Sequence, residues 1–182
     1  MGLRIYFTNR NLNDKFCVLE NQITDLTAVN QNVSRAQWSI DEYCPKENNV
    51  SERQCRACQK GWMLIQSTCY LSSDRFDQKT WEEAREDCRA RSSDLAVVHN
   101  KEDENVLRRY SRHGSWIGLR AEGGRWKWID GSDLTESVSY RIQEPRPAAD
   151  GQCAFTNVKD RWTSESCAER KRWICEKKPL SV

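Results

Sequence analysis

The chain has 182 residues, of which 37% are apolar and 31% charged, and it carries eight Trp and nine Cys. So polar a sequence excludes a membrane-embedded protein, and so many tryptophans exclude a wholly disordered one. The net charge of +2 sets up no bulk field toward nucleic acid or an anionic bilayer.

Nine cysteines are odd in number and dense enough to imply an oxidising compartment. Yet Met1–Arg10 lacks the apolar core of a signal peptide, and no apolar run of about 18 residues could span a bilayer. The expectation is an ectodomain whose start lies upstream of Met1.

The sequence divides near residue 57. Residues 1–57 hold one Trp, and the other seven lie between Trp62 and Trp173, so the core is expected there. In the first part, apolar residues recur every seven positions at Leu12, Leu19, Leu26, Val33 and Ile40. A second series, Phe16, Ile23, Asn30 and Gln37, sits between them, so the spacings alternate four and three as in a coiled-coil seam. A polar Asn30 on such a seam fixes register and strand number. The alternative is a single amphipathic helix lying on the domain.

Two N-glycosylation acceptors, Asn32-Val-Ser and Asn49-Val-Ser, both fall in this segment. Cys44 follows Gln37 by seven, on the seam itself, where two chains would bring two Cys44 side chains together. An intrachain bond to Cys17 or Cys55 is the alternative.

From residue 58 the pattern becomes that of a globular domain. Thr80-Trp-Glu-Glu83 reads as a capping box, opening a helix with Trp81, Ala84 and Cys88 on one face. Asn100 caps a second helix with Glu102, Asp103 and Glu104 in its first turn and Val106, Leu107 and Tyr110 facing inward. Strands are expected at Trp116–Leu119, Arg125–Trp128, Cys153–Phe155 and Arg172–Cys175, with turns at Gly123-Gly124 and Asp130-Gly-Ser132. Between Gly131 and Cys153 lies a long irregular stretch containing Pro145 and Pro147, and long loops inside compact domains tend to be functional.

Several ordered motifs resemble the long form of the C-type lectin-like family over residues 58–177. They are Cys58-Gln-Lys-Gly-Trp62 with Cys69-Tyr70, Trp81-Glu-Glu-Ala-Arg-Glu-Asp-Cys88, and Ser92-Ser-Asp-Leu95-Ala-Val. Trp116-Ile-Gly118-Leu119, Trp126-Lys-Trp128-Ile-Asp-Gly131, Cys153, Cys167 and Trp173-Ile-Cys175 complete the series. The resemblance implies an α+β fold of two small antiparallel sheets, two helices and a long irregular loop. The domain organisation is then a coiled-coil, N-glycosylated stalk over residues 1–57, a lectin-like domain over 58–178 and a tail over 179–182. It also implies disulfides Cys58–Cys69, Cys88–Cys175 and Cys153–Cys167. Cys17, Cys44 and Cys55 are left over in the stalk as interchain candidates, consistent with a disulfide-linked homodimer.

Family members that bind sugar through Ca²⁺ use a Glu-Pro-Asn or Gln-Pro-Asp motif in the long loop, a Glu shortly before the third conserved Cys, and an Asn-Asp pair after a Trp. This chain has Glu144-Pro145-Arg146, Gly151 two residues before Cys153, and Thr163-Ser164 after Trp162. Glu144 is the retained carboxylate, and a cation at Arg146 replaces an oxygen that Ca²⁺ needs. No cofactor is therefore expected.

The resemblance is to the subgroup that includes natural-killer-type receptors. It implies a type II cell-surface receptor ectodomain that binds a protein or glycan through its long-loop face, roughly residues 130–165. The candidate contacts are Glu144, Arg146, Lys159, Arg161 and Trp162. The rival expectation is a carbohydrate-binding lectin, secreted or anchored, with or without Ca²⁺. Membrane attachment would come through a span outside this chain. The basic runs Arg108-Arg109 with Arg112, and Arg170-Lys171-Arg172, read as solvated surface beside the rarer use of binding acidic partners. No nucleophile-elbow, metalloprotease or phosphate-loop motif occurs, and no enzymatic activity is expected.

Overall fold

The computed structural model describes residues 2–46, 52–110, 114–132, 148–156 and 162–180, with side chains from residue 12 onward. The chain forms two compact units, Met1–Lys60 and Gly61–Val182.

The first unit is built on one helix, α1 (Gly2–Tyr43). At about 1.5 Å per residue its 42 residues run about 63 Å. No proline interrupts it. Its seam side chains stand in solvent: Leu12, Phe16, Leu19, Ile23, Leu26, Val33 and Ile40 are 43–69% exposed. Asn32 is exposed as well, whereas Asn49 lies outside the described residues.

The C-terminal end of α1 is closed by the returning chain. Arg53 donates to Asp41 at 2.7 Å and to the Cys44 carbonyl at 2.9 Å. The Arg56 amide donates to the Tyr43 carbonyl at 2.8 Å. These contacts satisfy terminal carbonyls that a helix leaves without intrahelical partners. Hydrogen bonds from Gln37 and Arg53 hold the Asp41 carboxyl below its ordinary range.

The same return brings Cys55 beside Cys44, and the two are bonded to each other. This corrects the expectation of interchain bonds at Cys44 and Cys55, since the helix ends at Tyr43 and the next turn of chain supplies a local partner. Cys17 is free and exposed.

The second unit contains β1 (Met63–Ile65), β2 (Thr68–Ser72), α2 (Trp81–Ala90), β3 (Asp94–Leu95) and α3 (Lys101–Tyr110). It continues with β4 (Ser115–Glu122), β5 (Arg125–Trp128), β6 (Gln152–Thr156), β7 (Trp162–Ser166) and β8 (Arg172–Lys177). The capping box opens α2: the Thr80 hydroxyl accepts from the Glu83 amide at 3.3 Å, and the Glu83 carboxylate accepts from the Thr80 amide at 3.0 Å. Asn100 caps α3, accepting from the Asp103 amide at 2.9 Å.

The strands run in the order β1-β2-β8-β4-β6-β7, with β3 on β8 and β5 on β4. Pairing is antiparallel except between β4 and β8, where Ser115 and Trp116 lie parallel to Arg172 and Trp173. That short parallel contact joins the two expected antiparallel sheets into one hydrogen-bonded surface. β7 occupies a stretch that carries no strand signal, because Trp162-Thr-Ser-Glu-Ser lacks apolar alternation.

Trp81, Trp116 and Trp173 pack with Cys88, Cys153 and Cys175 in one core cluster. The Trp81 indole donates to the Ile117 carbonyl at 2.8 Å and the Trp116 indole to the Lys79 carbonyl at 2.9 Å, so each buried polar edge has a partner. Cys88–Cys175 ties α2 to β8, and Cys153–Cys167 ties β6 to the turn after β7. Cys58 and Cys69 are each disulfide-bonded too. In Trp116-Ile-Gly118-Leu119 the glycine is dictated by packing: a Cβ there would stand 2.8 Å from the Ile129 side chain and 3.1 Å from the Leu95 carbonyl.

The Arg170-Lys171-Arg172 run is locally engaged. Arg170 pairs with Glu83 at 3.4 Å, Lys171 with Glu165 at 2.6 Å, and Arg172 donates to the Ser73 carbonyl at 3.1 Å. Lys171 also lies 4.0 Å from the centre of the Phe155 ring. This agrees with a solvated, neutralised surface rather than an anion site. Arg108 and Arg109 sit in the last turn of α3, where cations favour the helix dipole, and Arg112 lies outside the described residues.

Candidate ligand-binding site

The face expected to meet a ligand is framed by the β6–β7 hairpin. Its register runs from Gln152 opposite Ser166 to Thr156 opposite Trp162. The candidate contacts Glu144, Arg146, Lys159 and Arg161 lie outside the described residues. Trp162 is described, and it is 4% exposed, meeting Trp128 edge-on with ring centres 5.5 Å apart. Its indole is therefore a core element, which corrects the expectation that Trp162 is a ligand contact. The strand pleat turns it inward, into the cluster that also holds Ile117, Leu119 and Ala154.

The positions that resemble the family's calcium ligands carry a poor donor set. Gly151 has no side chain, and it turns the backbone with φ +85°, a conformation other residues rarely adopt. Thr163 and Ser164 offer neutral hydroxyls, where hard cations favour carboxylates. The Thr163 hydroxyl is buried without a hydrogen-bond partner. These three positions do not fit a calcium ion, and among the described residues no three His, Cys, Asp or Glu side chains are grouped to hold a metal.

A second feature is one that the sequence reading does not single out. A cleft of about 330 Å³ lies beside β8, lined by Asp94, Val97, His99, Asp130, Glu176 and Lys177 among others. His99 Nε2 is 3.2 Å from Asp130, and Asp130 also accepts from the Ser132 amide at 2.9 Å and hydroxyl at 2.7 Å. Burial pushes the Glu176 carboxyl up to about 7, with Asp103, Asp130 and Asp94 adding repulsion and a Val97 backbone hydrogen bond opposing it. Across the sheet, burial and then Glu176 push the Tyr70 phenol up to about 12. The available sequence signal is an acid directly after the apolar run Trp173-Ile-Cys175.

The comparisons with known proteins agree with this architecture. The family model described as "Lectin C-type domain" matches residues 77–177, more than half of the chain. C-type lectin domain family 17, member A of Homo sapiens is 36% identical over 132 residues, covering 68% of this chain and 34% of that protein. Asialoglycoprotein receptor 1 of Mus musculus is 31% identical over 176 residues, covering 88% of this chain and 61% of that protein. C-type lectin domain family 2 member D of Homo sapiens is 34% identical, covering 86% of this chain and 77% of that protein. The first two relatives thus extend well beyond this chain.

Among solved structures, the mouse scavenger receptor C-type lectin carbohydrate-recognition domain superposes with a TM-score of 0.60 at 25% identity. The match covers 69% of this chain and 99% of that one. The motif order, the paired cysteines, the sheet and the family match all coincide: the chain belongs to the C-type lectin domain family.

Proposed function

We propose that this chain is the extracellular part of a cell-surface receptor of the type II class. It binds a protein or glycan ligand through the long-loop face, works without the family's usual calcium site, and is a homodimer through α1. The observation that carries the calcium argument is the donor set: Gly151, Thr163 and Ser164 stand where the sugar-binding members need carboxylate and amide oxygens. Arg146, Lys159 and Arg161 then contact acids on the ligand, as interface arginines often anchor a contact, and Glu144 pairs with Arg146 rather than with a metal. Membrane attachment in this reading is through a span outside this chain; no described helix is long and apolar enough to cross a membrane. No catalytic role is assigned, in keeping with relatives named as lectins and receptors.

A second reading is a carbohydrate-binding lectin. It is favoured by the similarity to a domain named for carbohydrate recognition, a description that belongs to that mouse protein. A glycan array probed with the whole chain, with and without EDTA, separates the two. The receptor reading predicts no EDTA-sensitive signal on mannose- or galactose-type glycans. Strong EDTA-sensitive binding to either class would establish the lectin reading instead.

A further inference from the structure

We infer that the Cys44–Cys55 bond is a thiol-exchange site, opened reversibly by an external dithiol to free residues 53–60 from the end of α1. This goes beyond the ligand reading above and does not depend on it.

Exchange begins when a thiolate attacks one sulfur of a disulfide and expels the other. Access to the bond and the fate of the expelled thiolate therefore decide which bond reacts. The bonds of this chain differ on both counts. Cys55 is exposed and Cys44 partly so. Cys88, Cys153 and Cys175 are 0% exposed and packed among Trp81, Trp116 and Trp173. Cys58 and Cys69, each bonded, are 4% and 0% exposed. Cys167 is partly exposed, but attack there would expel Cys153 as a thiolate inside the apolar cluster, where burial disfavours charge.

Cys55 is in the opposite situation. Arg53-Gln-Cys55-Arg56 sets a cation on each side of it in an exposed segment, and neighbouring cations stabilise a thiolate. Cys44 directly follows the C-terminal end of α1, where the helix dipole disfavours negative charge. Attack at Cys44 Sγ, with Cys55 leaving, is the favoured course. The dithiol's first sulfur bonds to Cys44 as the Cys44–Cys55 bond breaks, and Cys55 leaves as a thiolate that takes up a proton. The dithiol's second thiol gives up its proton and attacks its own first sulfur, and Cys44 leaves and is protonated in turn. The dithiol is oxidised to a disulfide, and Cys44 and Cys55 are reduced to two thiols.

The surrounding contacts make the opening local and reversible. Arg53 holds Asp41 and the Cys44 carbonyl, the Arg56 amide donates to the Tyr43 carbonyl, and the Lys60 amide donates to the Glu42 carbonyl at 3.0 Å. These contacts keep Cys55 near Cys44 once the bond is open, so reoxidation rejoins the same pair. The bond spans 11 residues against 87 for Cys88–Cys175, and a short loop constrains the unfolded chain less. Its loss leaves the lectin-like domain folded and loosens the return of the chain along α1.

The test equilibrates the whole chain with dithiothreitol buffers of graded reduced-to-oxidised ratio, then alkylates the thiols and locates the labels by mass spectrometry. Cys17 is free and exposed, so it is labelled throughout and serves as the reference. Cys44 and Cys55 are expected to be labelled together at a ratio about ten times lower than Cys88 and Cys175, a gap of about 30 mV. Labelling of Cys88, Cys153, Cys167 or Cys175 at the same or a lower ratio would overturn the inference. Amide hydrogen exchange at Arg56 and Lys60 is expected to quicken when the bond opens. It should quicken equally in Cys44→Ser, Cys55→Ser, while the lectin-like domain keeps its thermal transition. Unchanged exchange would show that the bond restrains nothing, and would also overturn the inference. Arg56→Gln keeps the bond but removes one cation, and is expected to slow opening by dithiothreitol several-fold. An unchanged rate would overturn the assignment of Cys55 as the leaving sulfur.

Discussion

The two units use apolar residues in opposite ways. In the lectin-like domain Trp81, Trp116, Ile117, Leu119 and Ile174 are all buried, and disulfides tie α2 to β8 and β6 to the turn after β7. In the stalk, residues of the same chemistry are spaced as regularly and are all exposed. The domain is self-sufficient, because its sheet and helices cover one another. A single helix has nothing to cover its stripe, and helices in proteins draw most of their stability from packing of such a face. The contrast separates residues that hold this chain together from residues that hold it to another.

The sharpest way to break that contrast is to remove the long-range crosslink. Cys88 and Cys175 are 87 residues apart, so on chain-entropy grounds their bond contributes about 4–5 kcal/mol. The double substitution Cys88→Ala, Cys175→Ala is expected to abolish or strongly lower the domain's thermal transition, read by tryptophan fluorescence. Helical circular dichroism from α1 should persist. Loss of both signals together would show that the units are not independent in stability.

Gly118→Val should have the next largest effect. Its Cβ alone would crowd Ile129 and the Leu95 carbonyl, and overpacking of this kind costs about 1–3 kcal/mol. Ile129→Ala in the same protein is expected to relieve part of that cost, and a purely additive double mutant would contradict the packing explanation.

A further effect is one of pH. Burial raises the Glu176 carboxyl from an ordinary value of 4.5 to about 7. Between these values the folded state binds the proton and the unfolded state does not. The associated stability is complete below pH about 4.5 and is lost as pH rises through about 7. Thermal unfolding in chelator-containing buffer should therefore show the domain weakening from pH 5 to pH 8, and Glu176→Gln should flatten that slope. An unchanged slope would place the titrating group elsewhere.

Much of the fold is legible in the sequence because local signals and tertiary needs coincide. Thr80 and Glu83 announce the start of α2, Asn100 that of α3, and the Trp-rich runs mark β4, β5 and β8. β3 is two residues long and β7 is rich in hydroxyl side chains, so neither carries the periodicity that identifies a strand, and tertiary pairing alone creates them. Trp162 reads as a ligand contact for the same reason: without β7 there is no pleat to turn it into the core. Cys44 is a different case. Its seam spacing is real, but the fold-back that offers it Cys55 has no period to read.

The central claim is that the exposed stripe of α1 is covered by a second copy. Sedimentation equilibrium of the whole unglycosylated chain, from sub-micromolar to tens of micromolar concentration, tests it most directly. The account predicts a mass twice the 21.3 kDa of one chain, maintained under reducing conditions that leave the helix intact. A mass of one chain throughout that range would contradict it.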